Sequence, residues 1–265
     1  MRPPVMTNMR GRPGAGGWGD HPRRPLWSVE WLSAGAAELH ERASSPPSVG
    51  RTVEVLEATA PALVLGSTQP SSVVDAAACE AAGVAVVRRR SGGGVVLVGP
   101  DECVWVDVVV PAGDPLWVGD VSTSAWWLGE VWVEALADAG VTVTVTDGGT
   151  GAAVHQGALC VNQWGRLVCF AGLGGGEVTL GAGGVGGGPK IVGIAQRRGR
   201  WGARFQCAVP LRWDAERLVS LLAWPSVEER AAALAALADP GLVAPVDPWL
   251  AAPLVDAFLA RLAER

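Results

Sequence analysis

The sequence predicts an α+β domain of mixed α/β character, with a β-sheet core flanked by helices and a short helical C-terminal appendage. Three observations carry this. β-Branched runs of strand length recur between residues 52 and 211 with helical stretches among them, glycine and proline punctuate those runs, and from Asp214 onward apolar residues fall at helical spacing. At 265 residues, 49% of them hydrophobic, the chain can bury a sizeable core. Residues 1–25 read as a disordered tail, 26–212 as one catalytic-sized domain and 213–265 as the appendage.

A helix is expected to open near Ser28, an acceptable N-cap, and to run through Trp31, Leu32, Ala36 and Leu39. A Pro/Ser loop over 44–50 leads to two short apolar runs, 52–56 and 62–65, read as strands, with 66–70 as the turn after them. Residues 73–82 read as a helix that Gly83 stops, and 84–87 and 95–98 as strands. The run 103–110 alternates and then becomes wholly apolar, as a central strand does. A Trp-rich helix over 124–139 ends at Gly140, and strands are expected at 141–146, 166–170 and 177–180. Residues 181–188 are too rich in glycine for anything but a mobile loop. Strands at Lys190 and over 203–211 follow, then helices over 214–222, 227–238 and 248–261, the last with Leu250, Leu254, Phe258 and Leu262 on one face.

Composition removes several functional classes. A net charge of -5 speaks against a nucleic-acid binder, which needs a basic face. No apolar run approaches the roughly 18 residues of a membrane span, and the first 24 residues lack the apolar core of a secretory signal. The five cysteines form no CxxC pair and are odd in number, which suits reduced thiols in a cytoplasmic protein better than disulfides or zinc. His155 has no matched carboxylate or second histidine nearby and reads as structural.

Two stretches break the compositional habit. Lys190 is the only lysine, and Ile191 and Ile194 are the only isoleucines, in a chain whose other cations are arginines. An ammonium is a compact point donor where a guanidinium is long and forked, so a site that needs one small donor would refuse Arg. The second stretch, Arg88-Arg89-Arg90-Ser91-Gly92-Gly93-Gly94, lies between two β-rich runs. Successive glycines let a ligand lie against backbone N–H groups, with guanidiniums supplying positive charge for a carboxylate, phosphate or acyl chain; the plainer alternative is a hairpin turn. No Gly-Lys-Ser/Thr follows either glycine run, so neither is a P-loop.

An Arg-Arg-x-Ser-Gly-Gly-Gly turn followed about 100 residues later by Lys-Ile-x-Gly-x-Ala-Gln-Arg-Arg resembles the lipoate-protein ligase A family. That family shares its biotin/lipoate protein ligase catalytic domain with the lipoyl-pathway octanoyltransferases. Gln69 in Gly66-Ser67-Thr68-Gln69 is similar to the family's early Gly-x-x-Gln. The resemblance implies that Gln69, Arg89, Ser91, Gly92, Gly93, Gly94, Gly193 and Ala195 bind substrate, and that Lys190 orients the acyl carbonyl. Val168-Cys169-Phe170 is similar to the stretch that carries the nucleophile in one branch of octanoyltransferases, which implies Cys169 as a catalytic thiol, with Cys160 its rival. Where family members often have a histidine after the glycine turn, this sequence has Val95-Val96-Leu97-Val98-Gly99.

The expected activity is transfer of an octanoyl or lipoyl group to the lysine of a lipoyl-carrier domain through a cysteine thioester. An ammonium close to a thiol favours the thiolate that such chemistry needs. The alternatives are an ATP-dependent lipoate ligase and a non-catalytic acyl-binding paralogue. The donor is expected to be octanoyl acyl carrier protein, or free lipoate or octanoate. No resident cofactor or metal is expected, ATP with magnesium entering only with ligase chemistry, and neither nucleic acid nor membrane is a partner.

Overall fold

Along the strand β6 (Cys103–Pro111), Val104, Val106, Val108 and Val110 point to one face and Trp105 and Asp107 to the other, and the whole fold is laid out on those two faces. The computed structural model describes residues 27–42, 50–141, 151–181 and 188–265. The expected N-terminal tail, most of the 44–50 loop, nearly all of the 141–146 strand and most of the 181–188 glycine loop lie outside the described residues.

The strands in chain order are β1 (Ser28–Ala34), β2 (Thr52–Ala58), β3 (Ala62–Leu65), β4 (Ala85–Arg88), β5 (Val96–Val98), β6, β7 (Ala152–Val154), β8 (Cys160–Val161), β9 (Gly172–Leu173), β10 (Val178–Leu180), β11 (Lys190–Gly199) and β12 (Gly202–Pro210). The helices are α1 (Ala36–Arg42), α2 (Ala76–Ala81), α3 (Trp126–Asp138), α4 (Ala215–Ser220), α5 (Val227–Leu237) and α6 (Ala251–Ala263). A large mixed sheet runs in the order β1-β2-β6-β12-β11-β10-β7, and a small one in the order β4-β3-β5. The valine face of the large sheet packs on α3 and α6, where Trp132 and Phe258 stack at 4.0 Å between centroids. Its other face turns toward α1 and the small sheet, and Leu39, Leu56, Val64, Val98 and Trp105 fill the space between them. The helices after Leu211 are divided between two cores: Leu218, Leu222 and Leu237 with the small sheet, Leu254, Phe258 and Leu262 with the large one.

Three local expectations are corrected. The segment from Ser28 is a strand, and the helix is confined to Ala36–Arg42. Seven residues of β1 pair in parallel with β2, a non-local pairing that overrides a helical spacing of apolar residues. Residues 166–170 do not form a strand but a turn and a 3-10 helix, Cys169–Ala171. There the N–H groups of Leu167 and Val168 both bond Trp164 O, which curls the chain. Finally, the glycine run is no hairpin. β4 and β5 lie on opposite sides of β3, so the loop between them crosses the C-terminal end of β3.

Because Phe258 is wholly buried against Trp132, Phe258→Ala is expected to lower unfolding stability by about 3–5 kcal/mol. Urea denaturation checks this; a loss under about 1 kcal/mol would mean that α6 is peripheral to the core.

Candidate active site

Lys190 opens β11 and is only 3% exposed. All three of its N–H donors are directed: Nζ lies 2.7 Å from Glu177 Oε2, 3.1 Å from Cys169 O and 3.0 Å from Gly172 O. The Phe170 ring sits beneath it, 5.0 Å from Nζ to the centroid. Glu177 is equally occupied, accepting from Gly174 N at 2.6 Å and Ile194 N at 3.0 Å. One ammonium thus ties β11 to the 3-10 turn that carries Cys169, and a forked guanidinium would not meet three acceptors converging on a single atom. Sequence reasoning missed Glu177. Its signal was available, since it is the only acidic residue between Asp147 and Asp214.

Cys169 is held from its other side by the glycine turn. Its N–H donates to Val95 O at 2.9 Å, and Val95 N donates to Leu167 O at 2.7 Å. The three glycines serve different ends. A Cβ at Gly94 would come within 2.6 Å of Val168 C, so this glycine lets two backbones touch. Gly93 has φ +103° and its Cβ would lie 2.7 Å from Arg89 Nη2 and 3.6 Å from Cys169 Sγ, whereas Gly92 faces open space. Arg89 is 4% exposed and organises the turn, with Nη2 donating to Gly92 O at 2.8 Å, Gly94 O at 3.0 Å and Cys169 Sγ at 3.8 Å. The cation at the sulfur is therefore Arg89; Lys190 reaches the same residue through its backbone carbonyl.

Gln69 and Ser91 act one layer out. Gln69 accepts from Gly66 N at 2.9 Å and donates to Arg166 O and Leu167 O, fixing the approach to Cys169. Ser91 Oγ donates to Gln206 Oε1 at 2.6 Å, and Gln206 Nε2 to Asp107 Oδ2. Asp107 shares the Arg204 guanidinium with Glu54. Burial, only partly offset by Arg204, pushes the Asp107 carboxyl up to about 6.

Two cavities meet at Cys169. One is a small, mainly apolar pocket lined by Arg89, Val96, Val98, Phe170, Gly193 and Ala208 among others. The second is an open groove of about 1210 Å³ past Gln69, Gly92, Gly93, Gly94, Gly172 and Gln196. Cys169 and Ala195 line both. The structure thus gathers Cys169, Lys190, Arg89, the glycines, Gln69, Gly193 and Ala195 around one thiol, while Ser91 and Lys190 lie behind the cavity walls. A histidine also lines the apolar pocket, though from far away in sequence: His40 of α1, whose imidazole burial and the nearby Arg89 charge push down to about 4, keeping it neutral near pH 7. His155 instead closes its own loop, its ring 2.9 Å from Ala158 O, and Cys160 is exposed outside both cavities.

Residues 38–262 match the family model of the lipoyl protein ligase A/B catalytic domain. The chain belongs to that family. Solved structures share its fold: an archaeal bipartite lipoate protein ligase from Thermoplasma acidophilum superposes with a TM-score of 0.62 at 17% identity, covering 90% of this chain and 84% of its own. Lipoate-protein ligase A bound with ATP gives 0.54 at 17% identity over 89% and 85%. P. falciparum LipL1 in complex with lipoate gives 0.51 at 12% identity over 91% and 63%. At these identities the likeness is one of fold. No curated protein matches the sequence. The family's mixed sheets with flanking helices are those expected from the two motifs. The described residues contain no helix long and apolar enough to cross a membrane.

Lys190→Met leaves Glu177 and two carbonyls buried without their donor, and is expected to cost about 3–5 kcal/mol of stability. The double variant Lys190→Met/Glu177→Gln is expected to lose less than the sum of the single losses in chemical denaturation, because the two groups interact directly. Strict additivity would show that the pair contributes nothing as a pair.

Proposed function

We propose that this chain transfers an octanoyl group from a carrier-protein thioester to the lysine of a lipoyl-carrier domain, holding it in between as a thioester on Cys169. The observation that supports this reading is the place of the sulfur: Cys169 lines both the apolar pocket and the open groove. An acyl chain seated in the pocket brings its carbonyl to the thiol, and the groove admits first the donor arm and then the acceptor lysine. In the first step the Cys169 thiolate attacks the donor carbonyl, the C–S bond to the carrier breaks and the carrier departs as a thiolate, which takes a proton from water. In the second the neutral acceptor amine attacks the Cys169 thioester, an amide forms, Cys169 leaves as thiolate and the proton lost by the amine passes to water in the open groove. Arg89 is the cation nearest the reacting sulfur, with Nη2 3.8 Å from Sγ. Lys190 is the positioning residue, since it bonds Cys169 through the main chain.

Activation of free lipoate by ATP would place the triphosphate and its magnesium in the same groove. Among the described residues the charged side chains lining that groove are Arg166 and Glu177, and Glu177 is already engaged by Lys190. The first reading is therefore the better supported of the two.

Intact mass spectrometry after mixing with octanoyl acyl carrier protein tests it. Wild type and Cys160→Ser are expected to gain one octanoyl group, and Cys169→Ser none. An adduct that persists in Cys169→Ser, or acyl-adenylate formation with ATP and no adduct, would overturn the assignment.

A further inference from the structure

The apolar pocket has a direction. Gly193 of β11, Ala208 of β12 and Trp105 of β6 lie side by side in register across the large sheet, and all three line the pocket. Neighbouring strands are about 4.8 Å apart, so the step from Gly193 to Trp105 covers roughly 10 Å, close to the reach of an extended octanoyl chain. Cys169 marks the β11 end, because a Cβ at Gly193 would lie 3.3 Å from Cζ of the adjoining Phe170. At the β6 end His40 lies over Trp105, with 4.7 Å between ring centroids and 37° between planes.

That end is rigid. Trp105 Nε1 donates to Asp107 Oδ1 at 2.8 Å, and Asp107 is anchored in turn by Arg204 and Gln206. His40 and Trp105 are each 6% exposed, fixed among Leu39, Leu56 and Val98. Trp105 also borders a surface groove lined by Trp31, Leu56 and Ala251. The two rings bound the pocket at its β6 end.

We propose that the His40–Trp105 pair is the chain-length stop of the acyl pocket, restricting the site to acyl groups about as long as octanoyl. The inference rests on the reading of this pocket as the acyl site with Cys169 at its mouth. A methylene past the stop must displace a hydrogen-bonded indole and the imidazole packed on it, and discrimination per methylene in an apolar pocket is about ten-fold or more.

Two parallel series test it. In the first, the initial rate of Cys169 loading is measured by intact mass with carrier proteins bearing hexanoyl to tetradecanoyl chains. Wild type is expected to peak at octanoyl, with decanoyl about ten-fold slower or worse. His40→Ala is expected to move the peak to decanoyl or longer, and Ala208→Leu, which narrows the middle of the pocket, to hexanoyl. In the second, free fatty acids of the same lengths are titrated against Cys169→Ser, with and without His40→Ala or Ala208→Leu, and the rise in Tm is read. No thioester forms there, so the same displacement of optima with no loading in the first series supports the stop and removes only the covalent mechanism. Optima that stay put in both variants overturn the stop, and so does the absence of stabilisation by any fatty acid.

Discussion

The ammonium of Lys190 is the point through which the site is assembled. Its three acceptors come from two pieces of chain: the turn that runs from Cys169 to Gly172, and Glu177 just before β10. Glu177 then reaches the backbone of Gly174 and of Ile194 on β11. At 3% exposure none of these charges is solvated, and a buried ion is tolerated only where every donor and acceptor is matched. That requirement explains why a chain using arginine everywhere else keeps a lysine here. It also sets the height of Cys169 relative to the sheet, since the carbonyl that Lys190 holds belongs to the same residue as the thiol.

The face of the large sheet beneath the site is divided along its strands. Trp105, Ala208 and Gly193 make an apolar row, and the next row in register is Glu54, Asp107, Gln206 and Ala195. The apolar row is the floor of the apolar pocket, while the polar row supports the glycine turn through Ser91. Arg89 bridges the two purposes, shaping the turn by bonding its carbonyls and presenting a guanidinium to the sulfur. Its charge also adds to the effect of burial in keeping His40 neutral in the pocket wall.

How much of this the sequence disclosed depended on whether the determining contact was local. The valine-rich strands and the capped C-terminal helices were legible because periodicity and caps are local signals. Lys190, Cys169 and the glycine turn were legible as residues too, by composition and by resemblance, and they do converge. Their division of labour was not: the sequence placed an ammonium beside the thiol, whereas folding brings Arg89 to Sγ and Lys190 to the carbonyl. The strand at 28–34 was hidden because Trp31, Leu32, Ala36 and Leu39 also satisfy a helical spacing, and only pairing with β2 decides between the two. His40 could not be linked to the pocket in sequence at all, since α1 and the glycine turn meet only through the small sheet.

The claim that Cys169 carries the acyl group between two partners is tested most directly by complete transfer in ATP-free buffer. Octanoyl acyl carrier protein, the full chain and a lipoyl domain are combined, and the lipoyl domain is followed by mass. Appearance of one octanoyl amide on its lysine without ATP is the expected result. Modification only when ATP, magnesium and free lipoate are supplied would contradict the account and make the groove an adenylate site.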